Sequence, residues 1–193
     1  MFIQTEATPN PQTLKFLPGQ TVVAGPPRDF KSPEEAECSP LAKRLFGLDG
    51  VTGVFLGSDF ISVTKSDEAD WAELKPAVLG IIMEHHLSGE PVIEGEAAAA
   101  SEFFDEKDAE VVAQIKELLD TRVRPAVAQD GGDITFQGFK DGVVYLQMVG
   151  ACSGCPSATA TLKQGVENLL KHFVPQVQEV QEVQAPGGGT CGI

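Results

Sequence analysis

Two small α+β domains joined by a flexible linker are the architecture this sequence predicts, and three observations carry that reading. A chain of 193 residues has room for two cores of ~100 residues each. The stretch "SGEPVIEGEAAAASEFFDEKD", from Ser88 to Asp108, has no sustained apolar period and divides the chain in the manner of a linker. On both sides of it, strand pairs with turn chemistry alternate with apolar runs at helical spacing. The division expected is 1–88, a linker over 89–104, a second domain over 105–185 and a flexible Gly-rich tail over 186–193.

In the first domain, "FIQTEATPNPQTLKFLPG" gives two short extended runs around Thr8-Pro9-Asn10-Pro11, because proline fixes its own φ and turns the preceding residue away from helix. Ser39 before Pro40 reads as an N-cap and first helical position, with Leu41, Leu45 and Leu48 as the apolar face. "VTGVFLGSDFISVTK" reads as a hairpin turning at Gly57-Ser58-Asp59. Asp70 with Glu73 resembles a capping box opening the helix "DWAELKPAVLGIIMEHHL". His85 and His86 at its end point about 100° apart, so they do not converge on a metal, and helix-dipole and solvent contacts suffice for them.

The second domain opens with a helix carrying Val111, Ile115, Leu118, Leu119, Val123 and Val127 on one face, interrupted by Pro125 and stopped by Gly131-Gly132. "DITFQGFKDGVVYLQMVG" alternates polar and apolar residues about Asp141-Gly142, a strong hairpin signal. A second helix, striped by Leu162, Val166, Leu169, Leu170 and Phe173, ends before Pro175. "VQEVQEV" is the candidate last strand, although valines at every third position fit a two-residue period poorly. The order is helix, hairpin, cysteine loop, helix.

The formal net charge of −14, with 28 acidic against 14 basic residues, argues against binding phosphate backbones, which depends on Lys and Arg. No apolar run of about 18 residues spans a bilayer, and "MFIQTEATPNPQ" has neither the order of a secretory signal nor the Arg-rich character of a transit peptide. A cytoplasmic setting is the expectation, or the mitochondrial matrix for a processed organellar chain. No nucleic acid and no membrane are expected as partners.

Four cysteines are too few for a disulfide framework, and in a reducing compartment a close pair means metal or redox chemistry. Cys152-x-x-Cys155 lies between the end of a hairpin strand and a helix starting at Pro156. Cys155 is then the N-cap, where unpaired N–H groups and the helix dipole stabilise thiolate. Gly150 and Gly154 free the backbone to turn around a bulky ligand. Three uses remain open. A dithiol exchanging disulfides usually sits on a βαβ framework, whereas these cysteines follow an antiparallel hairpin, lack a preceding aromatic residue and have their proline after the pair. A structural zinc ion needs four ligands, and the domain offers two cysteines with His172 alone nearby. An iron–sulfur cluster also takes four protein ligands, so two per chain suit a cluster shared across a two-fold axis. Cys191, in the Gly-rich tail, is read as incidental to this site, and Cys38 as a semi-buried small residue of the other domain.

The segment "QDGGDITFQGFKDGVVYLQMVGACSGCPSATATLKQGVE" resembles the C-terminal NifU-type domain of the Nfu iron–sulfur carriers. "TEATPNPQTLKF" with "SPLAKRLFGLDGVTGVFLGSDFISVTK" resembles the N-terminal domain that many members carry. The resemblance implies that Cys152 and Cys155 bind a [4Fe-4S] cluster bridging a homodimer, with a [2Fe-2S] form as the alternative. It implies that the cluster arrives from upstream assembly machinery and passes to apo iron–sulfur clients. No catalytic residue and no enzymatic turnover are expected.

Overall fold

The computed structural model describes residues 2–94, 102–151 and 156–183, without the side chains of 156–159. These residues fall into two compact units divided between Glu94 and Glu102, each mixing helices with a sheet.

The first unit is a five-stranded antiparallel sheet in the order β1-β2-β5-β4-β3. Its strands are β1 (Gln4–Ala7), β2 (Thr13–Leu17), β3 (Arg28–Phe30), β4 (Val51–Leu56) and β5 (Ile61–Lys65). The hairpins expected at Thr8–Pro11 and Gly57–Asp59 both form. Thr8 and Asn10 hold the first turn with their side chains, the Thr8 hydroxyl donating to the Asn10 carbonyl and Asn10 Oδ1 accepting from Gln12 N. Strand pairing aligns Leu14, Val63, Val54 and Phe30 in one row. Phe16, Ile61 and Leu56 form the next.

Those rows pack against α1 (Pro40–Phe46) and α2 (Trp71–Ser88) in a core with Leu41, Leu45, Val78 and Ile82. Fully burying each such side chain contributes about 1.5–3 kcal/mol. Ser39 caps α1 as its sequence suggests, accepting from Ala42 N at 3.1 Å. The same hydroxyl donates to the Val92 carbonyl at 2.6 Å, and Glu94 N bonds the Cys38 carbonyl at 2.7 Å. Ordered chain therefore continues onto α1 beyond Ser88. Asp70 caps α2 through Ala72 N, one position earlier than a capping box requires.

The second unit holds a four-stranded sheet, β6-β7-β8-β9. Its centre is the expected hairpin of β7 (Gly132–Lys140) and β8 (Val143–Gly150). At its turn Asp141 and Gly142 take φ of 51° and 81°, matching the tight turns that suit strand twist. β6 (Phe103–Phe104), inside the stretch read as linker, runs parallel to β7. β9 (Glu179–Glu182) runs parallel to β8.

The opening helix runs without a break in residues but changes its winding. α3 (Ala109–Leu118) passes through a π-helical turn, Leu119–Val123, into α4 (Arg124–Gln129). Pro125 therefore sits at the start of α4 rather than breaking a helix, because the wide turn absorbs its missing N–H. α3 and α4 and the long α5 (Pro156–Phe173) cover the sheet, burying Ile115, Val127, Ile134, Leu146 and Leu170 together. Glu167 ties α5 to β9 by accepting from Val180 N at 3.3 Å. Its bond from Lys171 holds its carboxyl below the usual carboxylate range.

Candidate metal centre

Cys152 and Cys155 lie outside the described residues, and the frame around them is well defined on both sides. On one side β8 ends at Gly150, whose φ of 70° turns the chain out of the sheet. Ala151 is buried, and its N–H reaches the Gly131 carbonyl at 3.2 Å. Gly131 also has a left-handed φ, of 79°, so two glycines bring the end of α4 beside the end of β8. On the other side α5 begins at Pro156. The Cys-x-x-Cys sequence therefore joins a pinned strand end to the start of an 18-residue helix.

That helix returns to a strand parallel to β8. The unit β8-α5-β9 is a βαβ crossover, which corrects the expectation that an antiparallel hairpin alone frames the cysteines. "VQEVQEV" does supply the expected last strand, but its weak two-residue period gave no sign of parallel pairing: β9 is an edge strand that buries only Val180.

Sequence reasoning also missed an ion pair beneath this corner. Arg124 at the start of α4 grips Asp133 near the start of β7. Asp133 is 6% exposed, and its Oδ1 also accepts from Ile134 N at 2.8 Å. Hydrogen bonding to Asp133, with Asp120 alongside, raises the pKa of Arg124 above its ordinary value. Asp133 lies opposite Val149 in the ladder, so the pair braces the strand end from which the cysteine loop leaves. The sequence "QDGGD" carried the signal, an acid directly after a helix stop, but its partner is nine residues away on a helix.

Among the described residues no group of three or more His, Cys, Asp or Glu is placed to hold a metal, and no helix is long and apolar enough to cross a membrane. His85 is fully buried without a hydrogen bond on either ring nitrogen, which corrects its assignment to solvent. Residue spacing did not reveal that α2 turns this position into the core. Cys38 is half-buried, as expected, but disulfide-bonded, where free thiols were expected. Cys191 lies outside the described residues.

Two α+β units, the second with the Cys-x-x-Cys sequence between the strand and the helix of a βαβ crossover, define the class as a modular two-domain chain. Family comparison divides the chain in the same way: residues 3–89 match "Scaffold protein Nfu/NifU N terminal" and residues 115–181 match "NifU-like domain". The human NFU1 iron-sulfur cluster scaffold homolog, mitochondrial, is 50% identical over 184 residues, covering 95% of this chain and 72% of its own. Its counterpart in Drosophila virilis is also 50% identical over 184 residues, covering 95% of this chain. The chain spans 62% of that fly relative's length. The solution structure of a NifU-like protein from Saccharomyces cerevisiae aligns with 28% identity and a TM-score of 0.46, over 50% of this chain and 87% of that one. The chain belongs to the Nfu/NifU scaffold-protein family.

Proposed function

We propose that this protein is an iron–sulfur cluster carrier, without enzymatic turnover. Cys152 and Cys155 hold one cluster together with the same pair from a second copy, then pass it to apo iron–sulfur proteins. The cargo is a [4Fe-4S] cluster, with [2Fe-2S] as the smaller form the same four thiolates would accept. The observation that carries this reading is the position of the pair, between a strand end pinned at Ala151 and the start of α5. A helix start favours thiolate and anionic cargo. Two ligands per chain leave the site half complete, so a two-fold axis supplies the remainder. A site shared between chains is exposed to clients and opens when the chains part.

Cluster binding belongs to the second unit alone, over 105–185, and the first serves client or assembly contacts. The relatives carry "mitochondrial" in their names, which supports the matrix over the cytoplasm as the setting. The test is anaerobic reconstitution with iron and sulfide, followed by absorption spectra and assay of acid-labile sulfide. A brown product with stoichiometric sulfide is expected, whereas a colourless, zinc-loaded product would overturn the reading.

The βαβ crossover favours one second reading, thiol–disulfide exchange by the same pair, since that chemistry usually sits on such a unit. The absence of an aromatic residue before Cys152 and the proline after Cys155 weigh against it. Catalytic turnover of a small disulfide with glutathione as reductant would favour it, and none is expected.

A further inference from the structure

The helix α2 carries apolar residues on two opposite faces, and only one of them is in the core. Leu74, Val78, Ile82 and His85 make the buried face. At about 100° per residue, Ala72, Pro76, Gly80, Met83 and Leu87 fall within a band of about 80° on the far side. All five are exposed, Met83 by 42% and Leu87 by 80%. Gly80 stands in the middle of the band, and a Cβ placed on it would meet nothing within 4 Å. Glycine inside a helix costs stability relative to alanine, and a single copy gives no steric reason for it here. A second backbone approaching at that point supplies one.

Charge edges the band unequally. The same helical geometry sets Glu73 and Glu84 along one side of it and Lys75 along the other. None of the three makes an ion pair among the described residues. We infer that α2 pairs with α2 of a second copy, side by side and in the same direction about a two-fold axis. The acidic side of each band then meets the basic side of the other. Lys75 comes beside the partner's Glu73, two residues away along the axis or about 3 Å of rise, and the two-fold repeats the contact at the other edge. An antiparallel pair would instead set Glu84 beside the partner's Glu73, like against like, so the charge pattern selects the parallel arrangement.

A contact between two single helices buries little surface, so the pairing is weak, with a Kd on the order of 100 µM. It lies in the unit that lacks the Cys-x-x-Cys sequence and needs no cluster. Its purpose rests on the carrier reading above. Two copies paired through α2 hold their cysteine pairs at an effective concentration set by the segment joining the units rather than by the bulk protein. The same two copies can then share a cluster, and stay close enough to take up another after the first is delivered.

The test is sedimentation of the cluster-free full chain in reducing buffer from about 10 to about 500 µM. Because no cluster is present, its outcome is independent of the carrier reading, which iron and sulfide loading tests separately. The wild type should pass from single chains to pairs across that range. Met83→Gln combined with Leu87→Gln should abolish pairing and leave the Trp71 unfolding transition in place, because both side chains are exposed in the single copy. Lys75→Glu and Glu73→Lys should each weaken pairing about fivefold, and the two together should restore it to within about twofold of wild type. Glu73→Lys is the sharper arm, since it makes an acidic chain less acidic and by overall repulsion alone would strengthen association. A wild-type chain that stays single throughout, as when the second unit or a client covers this face, overturns the inference. So does association kept without Met83 and Leu87, or a combined charge reversal that restores nothing.

Discussion

Arg124 holds Asp133 with two parallel bonds, Nε to Oδ1 at 2.9 Å and Nη2 to Oδ2 at 2.8 Å. The arrangement locks the start of α4 to the start of β7 with the planar fork that only arginine provides. Asp133→Asn keeps the shape but removes the charge and one acceptor. Arg124 is 38% exposed, which softens the loss, so destabilisation of the second unit by about 1–2 kcal/mol is expected. Tyr145 is the one tyrosine in the chain and lies in that unit, whereas the one tryptophan, Trp71, lies in the other. Denaturant unfolding followed by tyrosine circular dichroism should shift while the Trp71 fluorescence transition stays in place. An unmoved tyrosine transition would show that the pair braces nothing.

The edge strand β6 depends on the lack of a side chain at Gly138. A Cβ there would lie 2.6 Å from both the ring and the carbonyl oxygen of Phe103. Gly138→Ala should therefore push β6 off β7 at a cost of about 1–3 kcal/mol. The Phe103 ring packs 5.2 Å from that of Tyr145, so the tyrosine circular dichroism band should weaken. An unchanged band and stability would contradict the parallel pairing.

His85 makes the first unit sensitive to acid. Burial, then the nearby cations His86 and Arg44, lower its pKa below the usual 6.5, while Glu90, 3.9 Å from Nδ1, raises it only partly. The unfolded chain therefore takes up the proton first. Stability is complete above the unfolded pKa and falls as the pH drops through and below about 6.5. Trp71 fluorescence should report a lower denaturation midpoint at about pH 5.5 than at about pH 7.5. His85→Leu should flatten that dependence, leaving the smaller contribution of His86, whose pKa burial also lowers. A wild-type slope retained in the variant would reassign the effect.

Much of the fold is legible in the sequence wherever local chemistry and tertiary packing ask for the same residue. Ser39-Pro40, Asp141-Gly142 and the alternation of β7 and β8 are of that kind. β3 and β6 are short edge strands whose existence depends on a neighbouring strand, so no window of sequence reveals them, and β9, a third edge strand, shows only as the weakly periodic "VQEVQEV". Pro125 misleads because a π-turn is an answer that only packing selects. The cysteine pair is legible from its spacing. The ion pair bracing its strand and the disulfide at Cys38 join distant residues and leave no local pattern.

Cys152→Ser and Cys155→Ser should each abolish cluster retention, because both chains carry the change and the two thiolates left per shared site cannot close a four-ligand shell. Both should keep the wild-type unfolding midpoint of the second unit when no cluster is present. Loading of the Cys155→Ser protein to the wild-type level would remove that residue from the site.

The most direct measurement is sedimentation of the cluster-free and the reconstituted protein, with iron and sulfide assayed on the same fractions. A bridging [4Fe-4S] cluster predicts about two iron and two sulfide per chain, found in a species of twice the single-chain mass. Dilution or a chelator should return that species to the cluster-free distribution. A stable single chain carrying a complete four-iron cluster would contradict the shared site.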